Sequence, residues 1–345
     1  MSAPRAGRAA LKKAKMPARA PAPAPKPGPR FPVGNSTGPK TLPRRANPLL
    51  TNIANMPPTP ESTTTMSSRV MTILGVSALS ISTYIGYLYA SYRHEVKQSK
   101  SLTVPHDVSD RYNHTAGTFD ADVAMSEQLM GMGSKRAALV ERAHGNVLEV
   151  SCGTGRNLRY YELGERRGFD TQGRVGVLGC RSLTLVDLSP EMVEITRGKF
   201  EKRFPEQKAR VEFRVQDAAE VSRPGFSVDG KKHEGYYDSV VQTMGLCSLP
   251  DPVKTLKHLG TVVDPEKGEI LLLEHGRSYY DWVNNILDNL APAHADRHGC
   301  WWNRDIGQIV RESGLEVVEE KRWHFGTTWK YVLRPARVGV EVQKS

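Results

Sequence analysis

Residues 147–157, Val-Leu-Glu-Val-Ser-Cys-Gly-Thr-Gly-Arg-Asn, constrain the fold more than any other stretch of the chain. Val147, Leu148 and Val150 make a short apolar run suited to a buried parallel strand. After a turn of small residues, Arg156-Asn157-Leu158-Arg159-Tyr160 can open a helix. Gly153 and Gly155 let the backbone pass close to a ligand where a side chain would intrude. A strand, a glycine turn and a helix start together form a nucleotide-sized binding edge at the carboxyl end of a sheet. Two ligand classes are excluded. No third glycine follows at the dinucleotide spacing, and no Gly-Lys-Ser/Thr is present for a triphosphate. Glu149, the acid ahead of the turn, suits a cationic, hydrogen-bonding ligand better than a pyrophosphate.

Further strands of the same kind follow. Thr184-Leu185-Val186-Asp187 ends in an acid, after which Ser189 is placed as an N-cap and Pro190 as the first helical residue. Residues 213–218, 237–243 and 268–275 read as a third, fourth and fifth strand. In this order, and with Glu-x-x-Cys-Gly-x-Gly first, the set resembles the motifs of the class I S-adenosylmethionine-dependent methyltransferases. The resemblance implies an α/β fold of Rossmann-like type, a seven-stranded, mostly parallel sheet with helices on both faces and an antiparallel last strand. Residues 315–321 and 328–333 fit its final pair. It also implies that S-adenosyl-L-methionine is the cofactor, with Asp187 clamping the ribose hydroxyls and Asp217 near the adenine amino group. Glu149, Ser151, Gly153, Gly155, Asn157, Leu188, Ala218 and Gln242 complete the implied cofactor site. The chain departs from the family pattern twice. Ser151 stands where glycine is usual, and Glu149 and Asp187 lie further apart than the roughly 20 residues common for such a unit. The glycine-bearing stretch 166–181 between them is expected to be a loop insertion on the surface.

Charge is unevenly distributed. Of 48 Lys and Arg, 11 fall in residues 1–68 beside a single acid, Glu61, which leaves 37 basic and 36 acidic residues in the remainder. The near-neutral remainder offers no electrostatic footprint for nucleic acid, and no Asn/Asp-Pro-Pro-Tyr stands at the fourth motif. Residues 1–68 are acid-poor and rich in Arg and Ala, as mitochondrial presequences are. Prolines from Pro17 to Pro60 forbid a packed core there and predict a disordered linker. Residues 70–92 then carry no charge over 23 positions, roughly 35 Å of helix and enough to cross a bilayer core. We expect a single transmembrane helix at 69–92. Tyr84, Tyr87, Tyr89 and Tyr92 crowd its C-terminal end as interfacial anchors. Ala78, Ser82 and Gly86 fall four apart and make a small-residue face for an inner-membrane protein partner. A presequence followed by a stop would leave the downstream domain in the intermembrane space.

Residues 93–120 form a juxtamembrane and cofactor-covering segment, 121–336 the methyltransferase domain and 337–345 a tail. Within the covering segment, residues 111–120 resemble the Tyr-Asp-x-x-Ala-x-x-Tyr/Phe-Asp stretch of quinone-methylating enzymes. Tyr112 and Phe119 are the implied aromatic contacts. A helix is predicted over 123–143, with Met125, Leu129, Met132, Ala137 and Val140 as its core stripe. On the acceptor side, His275 is the first candidate for a catalytic base and His298 the second, since imidazole has the appropriate pKa. No metal is expected. Ala295 stands where the zincin pattern needs Glu after His294, and Cys152, Cys180, Cys247 and Cys300 lack C-x-x-C spacing. Trp301 and Trp302 read as a lid or core pair more than as a stacking platform. Glu274-His275-Gly276-Arg277-Ser278, the segment 299–306 and the Ser-Cys-Gly-Thr-Gly-Arg-Asn turn together look like the fungal mitochondrial inner-membrane methyltransferase-like (Oms-type) family. More loosely, they are similar to the animal membrane-associated thiol methyltransferases. The implied function is methyl transfer to a small or lipid-like acceptor by in-line displacement. The alternative is a non-catalytic assembly or stability factor for inner-membrane complexes.

Overall fold

Ile270 and Leu272 belong to one apolar core, and Leu271 and Leu273, on the same strand, to another. A strand buried on both faces must lie inside a sheet with helices on either side. The computed structural model describes residues 66–169, 175–228 and 231–336. The expected presequence and linker, as far as residue 65, and the expected tail lie outside the described residues.

In chain order the strands are β1 (His144–Val150), β2 (Arg166–Phe169), β3 (Val175–Asp187), β4 (Val211–Val215), β5 (Gly225–Val228), β6 (Lys231–Glu234), β7 (Ser239–Thr243), β8 (Glu269–His275), β9 (Glu316–Trp323) and β10 (Thr328–Arg334). The helices are α1 (Ser68–Ser101), α2 (Arg111–Thr115), α3 (Phe119–Leu129), α4 (Met132–Val140), α5 (Pro190–Arg203), α6 (Pro252–Val262), α7 (Asp281–His298) and α8 (Ile306–Ser313). Strands β4, β3, β1, β7 and β8 lie side by side and parallel, followed by β10 and then β9. Strand β10 runs antiparallel to both its neighbours, as expected for the final pair. Strand order reverses between β1 and β7, so a crevice opens outside their carboxyl ends.

Two sequence expectations are corrected, and a third element proves longer than its apolar stretch. Residues 166–169 and 175–181 are strand, not loop. Strand β2 pairs antiparallel with Val175–Leu178, the start of β3, and adds an eighth strand to the sheet. This ribbon leaves Phe169 and Val175 exposed, and a strand without a buried face carries no burial pattern to read. The single helix over 123–143 is broken into α3 and α4. Gly131 turns the chain at φ 58°, and Lys135 Nζ donates to the freed Met130 carbonyl at 2.8 Å. Met132 and Val140 are therefore core residues, whereas Met125 and Leu129 are more than 80% exposed. The apolar helix at 69–92 runs on to Ser101. Its last turns pack on α7, where Asn289 Nδ2 donates to Tyr92 Oη at 3.2 Å and the Ala293 N–H to Ser99 Oγ at 3.2 Å. Its apolar stretch is bare, and none of the most apolar eighteen residues is buried.

Candidate functional site

Strand ends build the cleft. After Val150 the chain turns through Ser151, Gly153 and Gly155 at φ 52°, 54° and 75°. Glycine adopts such left-handed values freely, and serine at a cost of about 1–2 kcal/mol. A Cβ at Gly155 would meet Leu158 Cδ1 at 2.8 Å, whereas one at Gly153 would meet nothing within 4 Å. Gly155 is glycine for packing, and Gly153 has open space before it. At the end of β3, Asp187 accepts the Gly153 N–H on Oδ2 at 2.8 Å and the Ser189 N–H on Oδ1 at 3.0 Å. These bonds fix the carboxylate and still leave lone pairs for a ligand. Burial pushes the Asp187 carboxyl up, and the same amides pull it back. Ser189 caps α5 through the Met192 N–H, with Pro190 in the first turn, as the sequence predicts. Past β4, Asp217 accepts the Ala219 N–H at 2.8 Å and caps a short turn.

Tyr112, Ser151, Gly153, Asn157, Asp187, Leu188, Asp217 and Ala218 line one cleft, together with Phe119, Met244 and Ser248. Glu149, Gly155 and Gln242 are outside that lining. Glu149 is buried, accepting from Asn157 Nδ2 at 3.0 Å and Tyr161 Oη at 2.6 Å. Burial pushes its carboxyl up to about 7. Gln242 Oε1 is buried without a hydrogen-bond partner among the described residues, while Gln242 Nε2 donates to Ser151 Oγ at 3.5 Å. A buried acceptor of this kind is what a ligand N–H would satisfy.

Two groups of residues escaped the sequence reading. Arg136 is buried in α4 and donates to Asn157 Oδ1 at 3.0 Å, Thr243 Oγ1 at 2.5 Å and Glu127 Oε1 at 2.8 Å. It supports the turn and itself reaches the cleft lining. Its signal was present, because an arginine midway between Met132 and Val140 interrupts an apolar face. The second group roofs the cleft. Asp120, at the start of α3, accepts from Thr154 Oγ1 at 2.7 Å, from Arg156 Nη1 at 2.9 Å and from Lys199 Nζ. Glu127 takes Arg156 Nη2 at 2.7 Å. The covering segment is thereby tied onto the glycine turn, with Tyr112 and Phe119 in edge contact at 6.1 Å beneath it. Tyr112 Oη lies 2.7 Å from Ser248 Oγ.

The acceptor side is arranged differently from the sequence expectation. His275 Nε2 lies 2.8 Å from Cys300 Sγ, and neither His275 nor His298 lines the cleft. His298 is exposed, its ring 4.7 Å from that of His294. His294 stacks on Trp302 at 3.9 Å, and burial depresses its pKa to about 3. Trp302 Nε1 donates to the Leu287 carbonyl and Trp301 Nε1 to that of His106, both at 3.0 Å, so the pair fastens α7 and the segment before α2. Two of the cysteines that lack C-x-x-C spacing meet in the fold. Cys247 and Cys300 converge on His275, their ligand atoms all within 4.8 Å of one another.

The methyltransferase domain family matches residues 125–320. The mitochondrial methyltransferase OMS1 of Saccharomyces cerevisiae is 38% identical over 244 residues, 69% of this chain and 48% of that protein. The chain thus spans about half the length of that curated relative. Among solved structures, an O-methyltransferase family protein from Burkholderia thailandensis is 14% identical with a TM-score of 0.47, covering 73% of this chain and 70% of its own. An S-adenosylmethionine-dependent methyltransferase from Aquifex aeolicus is 15% identical with a TM-score of 0.41, covering 65% and 98%.

Proposed function

The chain belongs to the methyltransferase domain family, and from that premise we propose that it is anchored in the mitochondrial inner membrane and methylates a small or lipid-like acceptor. It is a class I S-adenosylmethionine-dependent methyltransferase that resembles the Oms type. The observation that carries the cofactor reading is the Asp187–Gly153 pair, a fixed carboxylate bonded to a glycine with open space before it. In this reading Asp187 holds the ribose hydroxyls, and Asp217 and Ala218 the adenine. Tyr112 and Phe119 close over the ligand and exclude water. When bound, the cofactor supplies an electrophilic methyl on a sulfonium. The protein's task is then to hold an acceptor atom within about 3–3.5 Å of that methyl, in line with the sulfur. The exposed apolar stretch of α1 supports a single span, and the mitochondrial relative supports a mitochondrial location. That span would keep the cleft near acceptors that partition into the bilayer, with the catalytic domain in the intermembrane space.

A second reading has one observation of its own. Gly75 and Gly86 on α1 have no neighbouring atoms within 4 Å of a built Cβ, and Ala78, Ser82 and Gly86 share a face. Such a face can take a partner helix, as a non-catalytic assembly factor would require.

Titration of the full-length chain in detergent with S-adenosylmethionine separates the two. The expected result is saturable binding, weakened roughly ten- to a hundredfold by Asp187→Ala through loss of charge-assisted hydrogen bonds of about 1.5–3 kcal/mol. A folded wild-type chain that binds no cofactor would leave the assembly reading standing.

A further inference from the structure

Cys247, His275 and Cys300 are distant in sequence and reach one point from three segments. Cys247 lies in the loop after β7, and His275 is the last residue of β8. Cys300 follows the left-handed Gly299 that ends α7. The backbones are fixed relative to one another, because the Trp301 N–H donates to the Cys247 carbonyl at 3.0 Å. Cys247 and Cys300 are 1% and 4% exposed. Their sulfurs and a ring nitrogen of His275 all lie within 4.8 Å of one another, and Nε2 to Cys300 Sγ is 2.8 Å.

Those distances bracket a coordination triangle. Tetrahedral zinc with sulfur at 2.3 Å and nitrogen at about 2.0–2.1 Å has donor–donor edges of roughly 3.5–3.8 Å. Side-chain movements of well under an ångström or so per donor therefore suffice. The donor set is soft, two thiolates and an imidazole, which suits zinc and disfavours calcium or magnesium. It is also neutral once filled, since two thiolates balance a divalent ion beside an uncharged imidazole. A neutral centre avoids the large cost of burying net charge. The neighbouring Glu274 carboxylate accepts the Gly245 and Leu246 N–H groups at 3.2 and 3.1 Å, which fixes the start of the Cys247 loop. We propose that Cys247 Sγ, His275 Nε2 and Cys300 Sγ bind one zinc-class divalent cation, releasing the two thiol protons and leaving one coordination position for water or a substrate heteroatom. The centre lies one residue behind the cleft wall, because Ser248, which bonds Tyr112 there, follows Cys247 directly. It clamps the loops after β7 and β8 to the end of α7, and it accounts for His275 facing two cysteines.

The test uses the full-length chain purified in detergent with reductant and without chelator. Elemental analysis is expected to find about one zinc per chain, falling towards none in Cys300→Ser. Cobalt exchanged into the wild-type protein is expected to give thiolate-to-cobalt charge-transfer absorption, a readout that needs no variant to fold. A folded wild-type chain that neither contains zinc nor takes up cobalt would overturn the proposal. So would a Cys247–Cys300 disulfide under the same reducing conditions.

Discussion

Glu149 carries its carboxyl inside the molecule, and the two groups that bond it, Asn157 and Tyr161, are uncharged. Desolvation therefore dominates, and the folded-state pKa rises from 4.5 to about 7. A carboxyl raised on folding contributes stability that is whole below its unfolded pKa and is lost as pH climbs through the folded one. The window here is about pH 4.5 to 7. Glu149→Gln keeps an acceptor for Asn157 and a neutral partner for Tyr161 while removing the titration. Across that window wild type is expected to lose stability relative to the variant, on the order of 3 kcal/mol in all. Chemical denaturation at a series of pH values measures it, and parallel curves for the two proteins would refute the argument. The acid itself was legible in the sequence as the residue before the turn. Its partner Tyr161 was not, because nothing local distinguishes that tyrosine from a surface one.

Helix α3 owes its place to charge rather than to apolar packing. Met125 and Leu129 are exposed, and the contacts that hold the helix down are those of Asp120 and Glu127 with Thr154, Arg156, Arg136 and Lys199. An element held this way opens more easily than one with a buried apolar face. Asp120→Asn is expected to weaken cofactor binding roughly tenfold, about 1.4 kcal/mol, with little change in melting temperature. Hydrogen exchange should quicken over residues 111–129, and unchanged affinity with unchanged exchange would show that the roof needs no tie. The same feature explains a misreading at this scale. The apolar spacing of 123–143 reads as one core helix, but Gly131 breaks it, and only the part after the break enters the core.

At the scale of the whole molecule, one helix serves two environments. The C-terminal turns of α1 are bonded to α7, while the most apolar eighteen residues of the helix are all unburied. If that length spans a bilayer, the chain should stay in the membrane pellet through alkaline carbonate extraction. Leu79→Arg with Ile85→Arg should release it, each arginine costing about 2.5–3.5 kcal/mol at mid-bilayer. Wild-type protein found in the supernatant would remove the span. The sequence by itself determined the parallel α/β sheet, the Ser151–Gly155 turn with its flanking acid, the cap of α5 and the bare apolar helix. Each of these is written in contiguous residues as periodicity, a turn or a run. Only the tertiary structure decided that Arg136 supports the turn, that Asp120 ties down the roof, and that Cys247, His275 and Cys300 share one point. Such groupings join segments up to a hundred or so residues apart, and the strand order that brings them together leaves no mark on the spacing of any one of them.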